Sequence, residues 1–212
     1  MRTLATAGPW GEALERLTER LGEGFVCVAC GPRGRGKTQI GAALAVRVLR
    51  SHVPDRLDYI TPSAAKYVSM PELRLQLQSS YNNEGQSAMT IANELIRPRL
   101  LVLDEAQRRS DRSAFESNLL AHVVDARYAS AKKDTLVLTN ETSTALRDKD
   151  AGIDASVLSR ALECGGVIDC TGWPNWRADR RQAERGTRNG ALTAARQRAQ
   201  TLDAGAETTT KG

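Results

Sequence analysis

The chain has 212 residues, 41% of them hydrophobic and 26% charged, with a formal charge of +5. That length holds one α/β domain with a core of its own but not comfortably two. No apolar run reaches the roughly 18–20 residues that a membrane-spanning helix needs, and the N-terminus lacks a signal-peptide core, so a cytoplasmic protein is expected.

Leu14, Leu17 and Leu21 recur at helical spacing and predict a helix over residues 11–21. The apolar run from Gly24 to Cys30 reads as a buried strand, followed by a glycine-rich loop and a helix from Lys37 to about Arg50. Leu57-Asp-Tyr-Ile-Thr61, closed by Pro62, reads as the second strand, and residues 63–79 read as helical apart from Pro71. After the polar break from Tyr81 to Gln86, a helix runs to about Ile96. Leu100-Leu-Val-Leu103 is an unbroken apolar run, the pattern of a parallel strand covered on both faces.

Residues 113–129 are patterned as a helix through Phe115, Leu119, Leu120, Val123 and Val124. Thr135 to Thr139 is another buried strand, a helix follows over about 154–163, and Val167 to Cys170 is a last short strand. Alternation of strand and helix implies an α/β fold: a parallel sheet with helices on both faces. No internal repeat is present. Beyond about residue 186 the composition turns to Gly, Thr, Ala, Gln and Arg, as expected of a frayed helix followed by disorder. The expected organisation is a short helical segment over 1–22, a catalytic domain over 23–178 and a basic tail over 179–212.

Much of the positive charge lies late, at Arg177, Arg180, Arg181, Arg185, Arg188, Arg196 and Arg198. Such a run is either a solvated face or a contact for a polyanion. Cys27-Val-Ala-Cys30, with Cys164 and Cys170 later, has the look of a zinc site. Strand side chains alternate faces, however, so Cys27 and Cys30 point to opposite sides and cannot clamp one ion. Four buried free thiols are expected.

The chemistry concentrates in two segments. Gly31-Pro32-Arg33-Gly34-Arg35-Gly36-Lys37-Thr38 is a full Walker A match between a predicted strand and a predicted helix. Its glycines let backbone N–H groups close round phosphates, and the following helix adds its positive end. Lys37 is expected to reach the β- and γ-phosphates of ATP and Thr38 to ligate Mg2+. The strand at Leu100 delivers Asp104 and Glu105 to its C-terminal edge, where ligands bind in open α/β sheets. Asp104 suits the magnesium site, and Glu105 suits a general base acting on water. Asn140 ends the next buried strand, where its amide can hold that water, although Asn also favours turns.

The stretches Leu101-Val-Leu-Asp-Glu-Ala-Gln107, Phe115-Glu-Ser-Asn-Leu-Leu120, Ala126-Arg-Tyr128 and Thr135-Leu-Val-Leu-Thr-Asn140 resemble the AAA+ core of DnaC-type helicase loaders. They also resemble the related IstB-type transposition ATPases. Leu158-Ser-Arg160 and Trp173-Pro-Asn-Trp176-Arg177 look like the close of that core, and the resemblance covers roughly residues 20–178. It implies a P-loop NTPase of the AAA+ (ASCE) type, with Asn140 as sensor 1 and Arg160 as an arginine finger reaching a neighbouring subunit's ATP. It also implies that Arg177 lies near the nucleotide. A finger supplied in trans implies a homo-oligomer with interfacial ATP sites.

Two departures stand out. About 20 residues precede the core, so contact with a helicase is expected from the N-terminal helix, the C-terminal tail or another polypeptide. Asp104-Glu-Ala-Gln107 stands where relatives usually carry Asp-Glu-Ile-Gly.

Between the second and third predicted strands, Lys66, Tyr67, Arg74 and Tyr81 interleave cations with aromatics, where related proteins line a DNA channel. That mixture suits single-stranded DNA, charge tracking phosphates and rings stacking on bases. The resemblance thus implies an ATPase that loads a replicative helicase onto single-stranded DNA. The alternatives are a transposition ATPase acting with a transposase and a nucleotide-gated DNA-binding scaffold.

Overall fold

A computed structural model of the chain describes residues 8–51, 64–81, 86–107, 113–148 and 152–178. The chain divides into two units, Met1–Trp173 and Pro174–Gly212. In the second, the backbone N–H groups of Arg177 and Ala178 both reach Asn175 Oδ1 at 3.2 Å, a local turn.

The first unit is a parallel sheet between two layers of helix. The elements in chain order are α1 (Pro9–Glu19), β1 (Val26–Cys30), α2 (Lys37–Ser51), β2 (Ala65–Ser69), α3 (Met70–Tyr81), α4 (Ala88–Ile96) and β3 (Leu100–Asp104). Then follow α5 (Ala114–Ala129), β4 (Asp134–Leu138), a 3-10 turn (Ala145–Arg147), α6 (Ala155–Cys164) and β5 (Val167–Asp169). Among the described residues the strand order is β2-β3-β4-β1-β5, with every pair parallel. Among those residues, too, no helix is long and apolar enough to cross a membrane.

The period-2 alternation of the strands splits the core in two. Val26, Val28, Cys30, Leu101, Leu103 and Val137 face the layer of α3, α4, α5 and α6. Cys27, Ala29, Leu100, Val102, Leu136 and Leu138 face α1 and α2. Because each such strand is covered on both sides, β1 and β4 are buried at every position, as the unbroken apolar runs predict. Cys27 and Cys30 do fall on opposite faces. Burial pushes the Cys27 and Cys170 thiols up to about 12 and Cys30 to about 11. The expectation of four buried thiols needs one correction: Cys164 is only half-buried, as the last residue of α6.

The second strand also needs correction. The predicted strand Leu57–Thr61 lies outside the described residues, and β2 is instead Ala65–Ser69, inside the stretch read as helical. Ala64, Ala65 and Lys66 favour helix locally, but propensity is weak beside pairing. Five residue pairs, from Ala65↔Leu100 to Ser69↔Asp104, place this segment alongside β3. Pro71 is then no interruption: it is the second residue of α3, where a missing N–H costs nothing. Phe115, expected inside, is 38% exposed, because the buried stripe of α5 runs through Glu116, Leu119, Leu120, Val123, Val124 and Arg127.

Two buried charges fasten the N-terminal edge of the sheet. Arg127 is fully buried and donates to the carbonyls of Leu95, Ile96 and Pro98 at 3.0, 3.0 and 2.7 Å, and to Thr135 Oγ1 at 2.9 Å. It also reaches the carbonyls of Arg99 and Asp134. Desolvation lowers its pKa to about 10, so the guanidinium stays charged at neutral pH. The Asp134 carboxylate accepts the N–H groups of Gly22, Gly24 and Phe25 at 2.7, 3.0 and 3.3 Å.

Candidate nucleotide site

The site forms at the C-terminal edge of the sheet, where β1, β3 and β4 end side by side. β1 runs into the loop 31–36, and α2 starts at Lys37. Gly31 has φ +128, and a Cβ there would sit 3.0 Å from the Cys170 carbonyl carbon. Gly36 has φ +85, and its Cβ would fall 2.4 Å from Trp10 Nε1. Both positions therefore need glycine for conformation and for room. Lys37 is buried, and its Nζ donates to the carbonyls of Gly31 at 2.5 Å and Pro32 at 2.9 Å, which puts the ammonium inside the loop.

Thr38, on the first turn of α2, donates its hydroxyl to Asp104 Oδ2 at 2.9 Å. The two predicted segments thus meet, 66 residues apart in sequence. Asp104 Oδ1 accepts the Glu105 N–H at 2.7 Å. Glu105 itself sits at φ 55, in the left-handed region that a side chain with a Cβ occupies only at a cost.

The end of β4 joins the same edge. Glu141 O accepts the Gly31 N–H at 2.6 Å, and Thr139 N–H reaches Ala29 O at 3.0 Å, so the chain around Asn140 runs beside the start of the phosphate loop. The Asn140 N–H donates to Gln107 Oε1 at 3.3 Å. The departure at Gln107 therefore has a use: its amide spans the gap from the Asp104–Glu105 segment to Asn140.

Two tryptophans brace the outside of the loop: Trp173, which the resemblance placed at the close of the core, and Trp10, which does not stand out in the sequence. Trp10 Nε1 donates to Arg35 O at 2.8 Å. The Trp10 and Trp173 rings meet edge to face with centroids 5.9 Å apart, and the Arg35 guanidinium donates to Trp173 O. Arg33 is exposed at the apex of the loop.

The remaining sequence-predicted residues lie elsewhere. Arg160, on α6, pairs with Asp125 and Glu163 at 3.1 Å each and lies over the Tyr128 ring, 4.4 Å from its centroid. Those carboxylates hold its pKa above the ordinary arginine value. Arg177 belongs to the second unit and is described only within it. Lys66 and Tyr67 are on β2, not on a helix. Lys66 pairs with Glu94 at 2.6 Å, and the Tyr67 hydroxyl donates to Asp104 Oδ2. Arg74, on α3, pairs with the buried Glu116 of α5 at 3.2 Å. The Tyr81 backbone ends α3, and its side chain lies outside the described residues.

An ammonium inside a glycine loop, a hydroxyl and a carboxylate in contact at its base, and a second carboxylate one residue on make a donor set that fits ATP with Mg2+. Residues 24–172 match the family described as IstB-like ATP binding protein. The chain belongs to that family.

This IstB-family ATP-binding protein has an AAA+ P-loop fold, and the solved structures it resembles include replication initiators and helicase loaders. It is similar to AMPPCP-bound DnaA from Aquifex aeolicus, at 16% identity and a TM-score of 0.61 over 81% of this chain and 50% of that one. It is similar to the DnaC helicase loader at 16% identity and a TM-score of 0.55, over 78% of this chain and 93% of that one. For DnaI the values are 17% and 0.58, over 82% of this chain and 87% of that one. The chain spans about half the length of the DnaA structure first named. No curated protein matches it.

Proposed function

We propose that this protein is a magnesium-dependent ATPase that works as a DnaC-like loader of a replicative helicase onto single-stranded DNA. The observation that carries the catalytic half is the 2.9 Å contact between Thr38 Oγ1 and Asp104 Oδ2, which joins the phosphate loop to the acidic pair. Bound Mg2+·ATP supplies the phosphoanhydride to be cleaved and the cation that offsets its charge. Thr38 and Asp104 are the residues that hold that cation. The backbone N–H groups of residues 33–38 would grip the phosphates, with Gly31, Pro32, Arg33, Gly34 and Arg35 as the loop wall, and Lys37 would turn its ammonium from the loop carbonyls to them. Glu105 accepts the proton of a water that the Asn140 amide orients. Arg160 reaches the site of a neighbouring copy, so activity needs a homo-oligomer. Arg177 keeps the nucleotide-binding role that the family resemblance implies.

The loader reading is supported by the likeness to DnaC and DnaI, which extends over most of each. The proposed DNA contacts are Lys66, Tyr67, Arg74 and Tyr81, of which Arg74 is carried by α3 and Tyr67 faces α2, and the cytoplasm is the expected compartment. A second reading, an IstB-like ATPase that acts with a transposase on target DNA, is favoured by the family match over 24–172.

The deciding experiment is a pull-down from the native host with ATP, using Glu105→Gln to hold the nucleotide-bound state. A hexameric helicase in the eluate supports the loader, and a transposase supports the second reading. Failure of the wild type to bind ATP removes both.

A further inference from the structure

Asp104 Oδ2 accepts two hydroxyl groups at once, Thr38 Oγ1 at 2.9 Å and the Tyr67 hydroxyl. Oδ1 is taken by the Glu105 N–H at 2.7 Å. Tyr67 arrives from β2, the outermost strand on its side among the described residues, whose register sets Tyr67 beside Val102 and Ser69 beside Asp104. Its ring packs against α2, 3.2 Å from the place a Cβ on Gly41 would occupy. The phenol therefore leans across from the outer strand to the carboxylate at the end of β3. Burial and the Asp104 contact both raise the phenol pKa, so it remains a donor.

We infer that Tyr67 is a positioning residue that competes with magnesium for Asp104 and so ties β2 and α3 to the occupancy of the nucleotide site. The inference rests on the Mg2+·ATP reading above. A carboxylate oxygen offers about two lone-pair directions, and at Oδ2 Thr38 and Tyr67 occupy both. A cation entering beside Thr38, or a water that it holds, needs one of them. Thr38 can go on donating while its own lone pairs face the cation, because a hydroxyl both donates and accepts. Thr38 stands on the first turn of α2 beside the phosphate loop, whereas the phenol reaches in from β2, so Tyr67 is the group that leaves.

Its departure has a route outward. β2 passes into α3 without an intervening loop, at Ser69–Met70. Among the described residues, β2 pairs with β3 on one side. The neighbouring Lys66 links the same strand to α4 through Glu94 at 2.6 Å. A strand released from Asp104 can therefore shift against β3 and carry α3, with Arg74 on it, into a second position. Loading and unloading of the cation would then be read on the face that α3 presents.

The test compares the full chain with Tyr67→Phe, which removes one oxygen and keeps the ring. Nucleotide binding is measured by titration calorimetry across a series of Mg2+ concentrations. In Tyr67→Phe the half-saturating Mg2+ concentration is expected to fall about tenfold, the scale of one hydrogen bond to a charged group, with metal-free nucleotide affinity unchanged. An unchanged Mg2+ requirement overturns the inference, since packing alone would give that result. A higher requirement overturns it as well, because Tyr67 would then support the cation.

A second measurement needs no variant of altered stability. With 3-fluorotyrosine in the otherwise unaltered chain, the fluorine signal of Tyr67 should move at the same Mg2+ concentration that tightens nucleotide binding. A signal that stays still overturns the competition. If the unaltered chain shows no magnesium-dependent nucleotide binding, the ATPase reading falls and this inference with it. Magnesium-dependent binding that Tyr67→Phe leaves alone sinks the inference only.

Discussion

The indole N–H of Trp10 donates to the carbonyl of Arg35 at 2.8 Å, which fastens α1 to the middle of the phosphate loop. The same ring lies where a Cβ on Gly36 would have to go. A loop built on glycines has many conformations to lose on binding phosphate, and this contact removes some of them beforehand. Trp10→Phe keeps the ring against Gly36 and deletes the donor. Nucleotide affinity should fall roughly threefold to tenfold, the worth of one neutral hydrogen bond. The chain has three tryptophans, two of them at this loop, so nucleotide should also change the intrinsic emission. In Trp10→Phe most of that change should vanish.

Glu105 sits in the left-handed region at φ 55, one residue after Asp104. For a residue with a Cβ that conformation costs on the order of 1 kcal/mol, and glycine adopts it freely. Glu105→Gly should therefore raise stability in urea by up to about 1 kcal/mol while hydrolysis drops at least 100-fold. Glu105→Gln should bind ATP as well as the wild type and hydrolyse it as poorly as the glycine variant. A fully active Glu105→Gln protein would remove the general base from the mechanism.

Arg160 is held by two carboxylates and a ring of the same chain, yet ion pairs exposed to this degree are screened by water and hold weakly. Swinging the side chain out towards a neighbour is thus inexpensive. Arg160→Ala should lower turnover by on the order of 10³-fold or more with nucleotide affinity intact. Mixing it with Lys37→Ala should restore part of the activity, because some interfaces then combine an intact loop with an intact arginine. A mixture as inactive as its components would place Arg160 outside the reaction.

At the other edge of the sheet, Arg127→Met should destabilise the fold by at least about 3 kcal/mol. The substitution strands several buried carbonyls, each costing about 1–3 kcal/mol when left without a donor. Urea unfolding followed by circular dichroism measures it. A loss below about 1 kcal/mol would mean that water or a rearranged backbone takes over the guanidinium's role.

Asp169 accepts Ser143 Oγ at 2.6 Å and the Thr171 N–H at 2.8 Å, which holds its carboxyl below its ordinary value of 3.8. A depressed acid contributes stability that is present above pH 3.8 and lost as pH falls through the lower, folded value. Asp169→Asn should therefore flatten the acid limb of a stability–pH profile below about pH 4, with a small change at pH 7 because the group is exposed. An unaltered acid limb would show that the two contacts do not favour the charged form.

The strands β1, β3 and β4 are plain in the amino-acid order because a parallel strand covered on both faces must be apolar throughout. The phosphate loop is plain because glycine, lysine and threonine at that spacing answer a demand of phosphate chemistry. β2 hides because its central Tyr67 serves a carboxylate and its first residues favour helix, so neither alternation nor composition marks it. Trp10, and the bond from Tyr67 to Asp104, are silent for a related reason. Their partners lie 25 and 37 residues away, and nothing local distinguishes a tryptophan or tyrosine that reaches a distant oxygen from one that fills a gap.

The buried charges at the N-terminal edge also govern where the molecule can yield. Arg127 and Asp134 tie the exit of α4, the 22–25 turn and the starts of β3 and β4 into one knot of charge-assisted bonds. Leverage exerted by a ligand at the opposite rim works against that knot, so the strands are expected to stay fixed at this end, like ribs on a keel. The displacement is then greatest at their carboxyl ends, where Glu105, Asn140 and the phosphate loop are carried.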